Sequence, residues 1–212
     1  MRFIVNLLAA AAVSLLPIAV SAEEVAPDVL VKNTATEVIE IIKKDKDIQA
    51  GDLRKITALA EDKILPHFDF VRMSRMVLGK HWNRASKEQQ EQFVGEFRSL
   101  LIHTYASALA KFRNQTIEYK PLRAQPGDTK VTIKTEVLQP GAPPLPIDYS
   151  LIKNNDDWKV YDITIEGVSL VTNYRGQFST EIRQGGMDGL IQRLAEKNKQ
   201  LSTASASASN KA

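Results

Sequence analysis

Residues Ser86–Phe112 read SKEQQEQFVGEFRSLLIHTYASALAKF, and what this stretch and its sequel do decides the fold. S-K-E-Q opens it like a capping box, in which a hydroxyl and an amide three residues apart each satisfy an orphan backbone N–H at a helix start. Phe93, Phe97, Leu100, Leu101, Thr104, Tyr105, Ala108, Leu109 and Phe112 then recur at three- and four-residue steps. They cover an arc wider than the stripe of about 100° that packing on one neighbour needs, so this helix faces a deep interior.

After Phe112 the period changes to two. Ile117 and Tyr119, then Val131, Ile133 and Val137, then Leu145, Ile147, Tyr149 and Leu151 alternate with polar residues, and P-G-D, Q-P-G and N-N-D-D mark the turns between them. These are meander strands of an antiparallel sheet with one wet face. A fourth strand, Trp158–Ile165, breaks the pattern: Trp158 and Val160 lie on one parity, Tyr161, Ile163 and Ile165 on the other. It carries a bulge or has both faces covered.

Helices lie on both sides of the strands. Leu30, Val31, Val38, Ile39, Ile41 and Ile42 predict a first helix over about 27–44, and Ile48–Ile64 a second that Pro66 closes. Beyond Gly167, Leu170, Tyr174, Phe178 and Ile182 share a helix face that ends at Gly185 and Gly186, and Leu190, Ile191 and Leu194 begin another. The expected architecture is α+β: a curved, four-stranded antiparallel sheet packed by helices around an apolar cavity, an NTF2-like cone.

Composition narrows the function. MRFIVNLLAAAAVSLLPIAVSA, residues 1–22, has an N-terminal Arg, an apolar run and small residues before the expected cut, as a secretory signal does. Residues 23–200 then form one domain, and the low-complexity tail 201–212 reads as disordered. With no cysteine, an exported chain has no disulfide, thiolate metal site or thiol nucleophile and relies on its core. The net charge is +3, or +2 without Arg2, and the charges are interspersed, unlike a nucleic-acid binder's.

Catalytic and metal patterns are weak. His67, Asp69 and His81 lie close in sequence but match no zinc-binding spacing, and His103 falls outside its helix's apolar arc, as a surface residue would. Ser169 lacks a glycine-flanked elbow and reads as a helix cap. Among Asp148, Asp162 and Glu166, Asp148 alternates onto a polar face, which leaves Asp162, on the parity of Trp158 and Val160, as the candidate general base. QPGAPPLPID, residues 139–148, fits a rigid hairpin loop better than a polyproline ligand.

Three segments carry a resemblance: ILPHFDFVRMSRMVLGKHWNRASKEQQEQFVGEFRSLLIHTYASAL at 64–109, IDYSLIKNNDDWKVYDITIEGVSLVTNYRGQF at 147–178 and GGMDGLIQRLAEKN at 185–198. In that order they resemble the MlaC, or toluene-tolerance, family of periplasmic phospholipid-binding proteins, over about 27–200. The resemblance implies a non-enzymatic carrier without cofactor that holds a glycerophospholipid with its tails inside. It would move lipid between an outer-membrane lipoprotein–porin complex and an inner-membrane ABC transporter complex with a substrate-binding-type membrane subunit, maintaining outer-membrane lipid asymmetry.

Within that picture Phe70, Met73, Val77 and Leu78 belong to a short inward-packing helix, Gly79 turns the chain, and Trp82 seals the corner. Met73 and Met76 suit either an adaptable pocket or ordinary core. Arg72, Arg75 and Lys80 face outward, toward a lipid phosphate, an acidic partner or solvent. The acyl tails would be lined by Phe93, Phe97, Leu101, Tyr105, Val131, Ile133, Ile147, Tyr149, Trp158, Ile163, Val168, Leu170, Tyr174 and Phe178. Two other classes stay open: a cavity enzyme using Asp162 on a small apolar ligand, and an interaction module without a cavity.

Overall fold

The computed structural model describes residues 25–110, 112, 114–155 and 157–209. The secretory signal read at 1–22 lies outside them. Pro27, whose fixed φ suits a first helical position, opens α1 (Pro27–Lys44), which buries Val31, Val38 and Ile42. The second helix expected from the sequence is divided. Asp45 caps α2 (Lys46–Ala50), Gly51 reverses the chain at φ 93°, and Asp52 caps α3 (Leu53–Leu59) through the amides of Arg54 and Lys55. A π-helical turn (Ala60–Ile64) and a 3₁₀ turn (Leu65–His67) complete the segment.

Asp69 joins the helical layer to the sheet. Its amide donates to the Val160 carbonyl (2.9 Å), while its carboxylate accepts from the Arg72 amide (2.9 Å), the Arg72 guanidinium (3.2 Å) and the Asn154 amide (3.1 Å). It therefore caps α4 (Phe70–Leu78) and ties that helix to two strands at once. Met73, Val77, Leu78 and, after the Gly79 turn (φ 53°), Trp82 are buried, as expected; Met76 is not, at 37% exposure, so only one Met of the pair fills the interior. The capping box forms at the start of α5 (Lys87–Ala110), with the Gln89 amide donating to Ser86 Oγ (3.2 Å) and the Ser86 amide to Gln89 Oε1 (3.0 Å).

The sheet runs β1 (Thr116–Tyr119), β2 (Lys130–Leu138), β3 (Leu145–Asn154), β4 (Asp157–Ile165) and β5 (Val168–Ser169), each antiparallel to the next. It has one strand more than the sequence suggested. Glu166 (φ 50°) and Gly167 (φ 80°) both take the positive φ that a type I′ hairpin needs, and the turn folds two residues back on β4. So short a strand has no periodicity to read. The proline-rich stretch is the β2–β3 hairpin loop.

A bulge resolves the broken alternation of β4. Ser150 pairs with Asp162 and Leu151 with Val160, which leaves Tyr161 unpaired. The face is thereby shifted, so Trp158, Val160 and Ile163 pack together with Val131, Ile133, Tyr149 and Leu151, and Tyr161 packs against the helices. The last described element is α6 (Leu170–Ser209), broken at Gly186 (φ 68°, ψ −171°), a conformation that excludes a side chain. This matches the two helices read on either side of Gly185–Gly186. Where the structure describes the tail, through Ser209, it is helical.

Replacing Asp69 by Ala is expected to lower stability by about 1–3 kcal/mol, since it removes a helix cap and strands the Asn154 and Arg72 donors. Burial pushes the Asp69 carboxyl up, but the Arg72 amide, Asn154 and the Arg72 guanidinium outweigh it and hold it below its ordinary value of 3.8. Its contribution is therefore present above that value and lost as pH falls through the lower folded-state pKa. Denaturant midpoints of wild type and Asp69→Ala should converge as the solution is acidified below that range.

Candidate functional site

The apolar interior is divided among three buried clusters, where a domain of this size ordinarily has one contiguous core. One joins α4, the N-terminal half of α5 and α6. A second lies on the inner face of the sheet with Val31 of α1, and the third joins the C-terminal half of α1 to α2, α3 and Ala106 of α5. The space between them is bordered by apolar side chains that are only half-buried.

The inward face of α5 shows where the packing stops. Phe93, Phe97, Leu100 and Leu101 are buried, whereas Thr104 and Ala108, which continue the same face, are exposed, and Tyr105 and Leu109 are half-buried. Pattern alone would put all eight in a core. Thr104 is also hydrogen-bonded to the buried Tyr174.

Tyr149 of β3 shows the same space from the sheet side. Burial pushes its phenol up to about 12, yet the residue keeps accessible surface. Tyr149 is thus desolvated without being fully covered. Desolvation also raises Tyr119, Tyr105 and Tyr174, with Tyr119 near Tyr149 on the sheet and Tyr105 near Tyr174 on the helices. All four phenols stay neutral at physiological pH and bring hydroxyls, without charge, to an apolar space. At one end of the sheet a cleft of about 380 Å³ opens between Ala26–Pro27, Leu122, Gly127–Thr129, Val131, Lys153 and Trp158.

The residues expected to line the interior fall into distinct groups. Phe93, Phe97, Tyr174 and Phe178 pack on one another, with Phe93 stacked on Phe97 (5.7 Å) and edge-on to Phe178 (5.6 Å), and Phe97 edge-on to Tyr174 (5.3 Å). Leu101 adjoins that group and Tyr105 borders it. Val131, Ile133 and Trp158 lie in the sheet-face cluster, with Tyr149 and Ile163 at its edge and Ile147 half-buried beside them. Leu170 is buried at the start of α6, while Val168 is 56% exposed on β5 and is not brought to the interior.

The bulge also decides the case of Asp162. Its presumed parity with Val160 is cancelled, so it leaves the apolar face, and its carboxylate accepts from Ser169 Oγ (2.5 Å) and the Val171 amide (3.1 Å). Ser169 Oγ in turn accepts from the Thr172 amide (3.0 Å), the helix-capping role expected of it. Asp162 is thus a structural part of the α6 start. Among the described residues no group of three His, Asp or Glu is placed to hold a metal ion. His103 is half-buried, with an Nδ1 that is buried and without a partner among the described residues, contrary to the surface position read from its helix phase.

The MlaC family profile, "MlaC protein", matches residues 32–196. The chain belongs to the MlaC family. Among MlaC relatives, the intermembrane phospholipid transport system binding protein MlaC of Haemophilus influenzae is 25% identical over 176 residues, 82% of each chain. The toluene tolerance protein ttg2D of Pseudomonas putida is 25% identical over 163 residues, 76% of this chain and 75% of that one. A phospholipid-binding protein from Ralstonia solanacearum, solved in complex with a phospholipid, superposes with a TM-score of 0.80 at 42% identity, covering 84% of this chain and 99% of that one.

Sequence reasoning about this MlaC chain passed over Leu30, Val31, Phe68, Tyr119 and Leu122 as wall residues of the sheet face. Leu30, Val31 and Tyr119 carried a periodic signal without a direction; Phe68 and Leu122 follow prolines in irregular segments and carried none.

The Tyr149 environment gives a measurable consequence. Its folded-state pKa is raised, so the stability it confers is whole below the ordinary tyrosine pKa of 10.0 and is lost as pH rises from there to about 12. Tyr149→Phe is expected to flatten the decline of the denaturation midpoint over that window, and difference absorbance should show one phenol fewer titrating at its upper end.

Proposed function

We propose that this chain is a periplasmic phospholipid carrier, exported by its N-terminal signal and shuttling glycerophospholipid between inner- and outer-membrane complexes to maintain outer-membrane lipid asymmetry. The observation that carries the reading is the apolar inner face of the sheet, where Tyr149 is desolvated yet not fully covered and a cleft of about 380 Å³ opens against Val131 and Trp158, in a fold whose Ralstonia relative was solved with a phospholipid bound. The name of the Haemophilus relative, an intermembrane phospholipid transport system binding protein, agrees with it. On this reading the acyl tails lie against Tyr105, Ile147, Tyr149 and Ile163, the packed rings of Phe93, Phe97, Tyr174 and Phe178 close one end, and no residue acts as a catalyst.

Energetics explain why such a protein is needed. Exposing two acyl chains, on the order of 28 CH₂ groups at roughly 0.8 kcal/mol each, costs about 22 kcal/mol, which rules out free diffusion through water. That exceeds the practical limit of about 18–21 kcal/mol for non-covalent affinity, so cavity formation and tail ordering must offset part of it. Even the reduced value makes spontaneous release slow. Partners that open the cavity follow from the same arithmetic, and an ABC transporter complex at the inner membrane and a lipoprotein–porin complex at the outer one fill that role here.

The test is transfer of fluorescent phospholipid from donor vesicles to the protein, followed by re-isolation of the protein. Wild type is expected to leave with label. Ala108→Trp, which fills the exposed end of the α5 face, should leave with several-fold less at an unchanged melting temperature. Equal loading of the two proteins would remove the α5–sheet space as the lipid site.

A further inference from the structure

We infer that the α4–α6 corner is a docking surface for an anionic lipid bilayer. Arg75, Lys80, Arg84, Arg175 and Arg183 meet there on three elements: Arg75 lies over the Trp82 ring (5.6 Å), the Arg175 guanidinium lies against Gly79, and burial first, then the nearby charges of Lys80, Arg84 and Arg183, hold His81 below its ordinary pKa. None of these five clustered cations has a carboxylate ion-pair partner among the described residues, unlike Arg72 on the same α4 helix, which pairs with Asp69. In a chain of net charge only +3 this is a local excess. Gly79 leaves room for the Arg175 guanidinium, which would lie 3.1 Å from a Cβ there, and the glycine's φ of 53° already disfavours a side chain.

Charge alone would fit an acidic protein as well. The apolar residues favour a bilayer: Val71 (51% exposed) and Met76 (37%) share the outward face of α4 with Arg75. Apolar side chains flanked by long basic ones on one helix face are the pattern of interfacial binding, in which the former enter the acyl boundary and the latter meet phosphates. Unpaired cations spread over α4, the turn after it and α6 suit a surface whose negative charge is laterally uniform. The inference rests on the carrier reading only for its purpose, holding the protein at a membrane while lipid is exchanged; binding to a bilayer is measurable whether or not the interior holds lipid.

The experiment is flotation of the full protein with vesicles of phosphatidylethanolamine and phosphatidylglycerol in equal parts, against vesicles of phosphatidylcholine alone. Binding is expected only to the anionic vesicles, weakening as salt is raised. Each basic residue neutralised should weaken it roughly fivefold, the equivalent of about 1 kcal/mol per charge at an anionic surface, so Lys80→Gln, Arg84→Gln and Arg183→Gln combined should lose on the order of a hundredfold. Val71→Ser should weaken binding at all salt concentrations, and every variant should retain wild-type lipid loading and melting temperature. Failure to float with anionic vesicles at low salt overturns the proposal. So does flotation that the triple variant leaves unchanged. If plain vesicles are ignored and the triple variant loses binding only to membranes containing their native proteins, the surface belongs to an acidic protein partner instead.

Discussion

The structure depends on a clamp of four rings. Phe93 and Phe97 from α5 and Tyr174 and Phe178 from α6 meet edge-on and stacked, each contact contributing about 0.5–1.5 kcal/mol beyond the area it buries. A protein with space in its interior must hold its walls apart against the tendency of apolar surfaces to close on one another. The clamp does so by fixing the two long helices at one end, so that the α5 face past Leu101 projects beside the sheet without collapsing on it. Well-defined ring geometry suits this task better than aliphatic packing, which adapts and would fill the gap.

The opposite wall is shaped by a single unpaired residue. Without the bulge at Tyr161, β4 would send Asp162 toward the apolar face and turn Ile163 away from it. With it, one edge of β4 serves the sheet-face cluster and Tyr161 reaches the helices, while Asp162 is free to cap α6. The same irregularity therefore places an apolar side chain in the interior and anchors the helix that carries half of the ring clamp. Asp69 performs a related service on the other side of β4, fastening α4 to the Val160 carbonyl and to Asn154.

Most of the fold was legible because periodicity reports which residues share a face. The α5 arc, the four longer strands, the capping residues Ser86 and Ser169 and the break at Gly185–Gly186 all follow from local pattern. Failures occurred where the deciding interaction is between elements: the parity of Asp162, reversed by pairing across to β3, the half-buried His103, and the outward Met76. The division of Ile48–Ile64 turned on Gly51 and Asp52, punctuation that a run of apolar residues at helical spacing overrode in the reading. Cavity wall and solid core were not separable from sequence at all. Phe97 and Ala108 lie on one face of one helix, yet the first is packed by the rings of α6 and the second is exposed.

On the carrier reading, the interior between α5 and the sheet holds the tails of a phospholipid. Native mass spectrometry of protein purified from the periplasm without detergent, followed by denaturing extraction and lipid identification, tests it most directly. The account predicts a stoichiometric adduct that extracts as a two-chain glycerophospholipid. A protein that flies at its bare mass, and stays bare after incubation with phospholipid vesicles and the proposed membrane complexes, would contradict it.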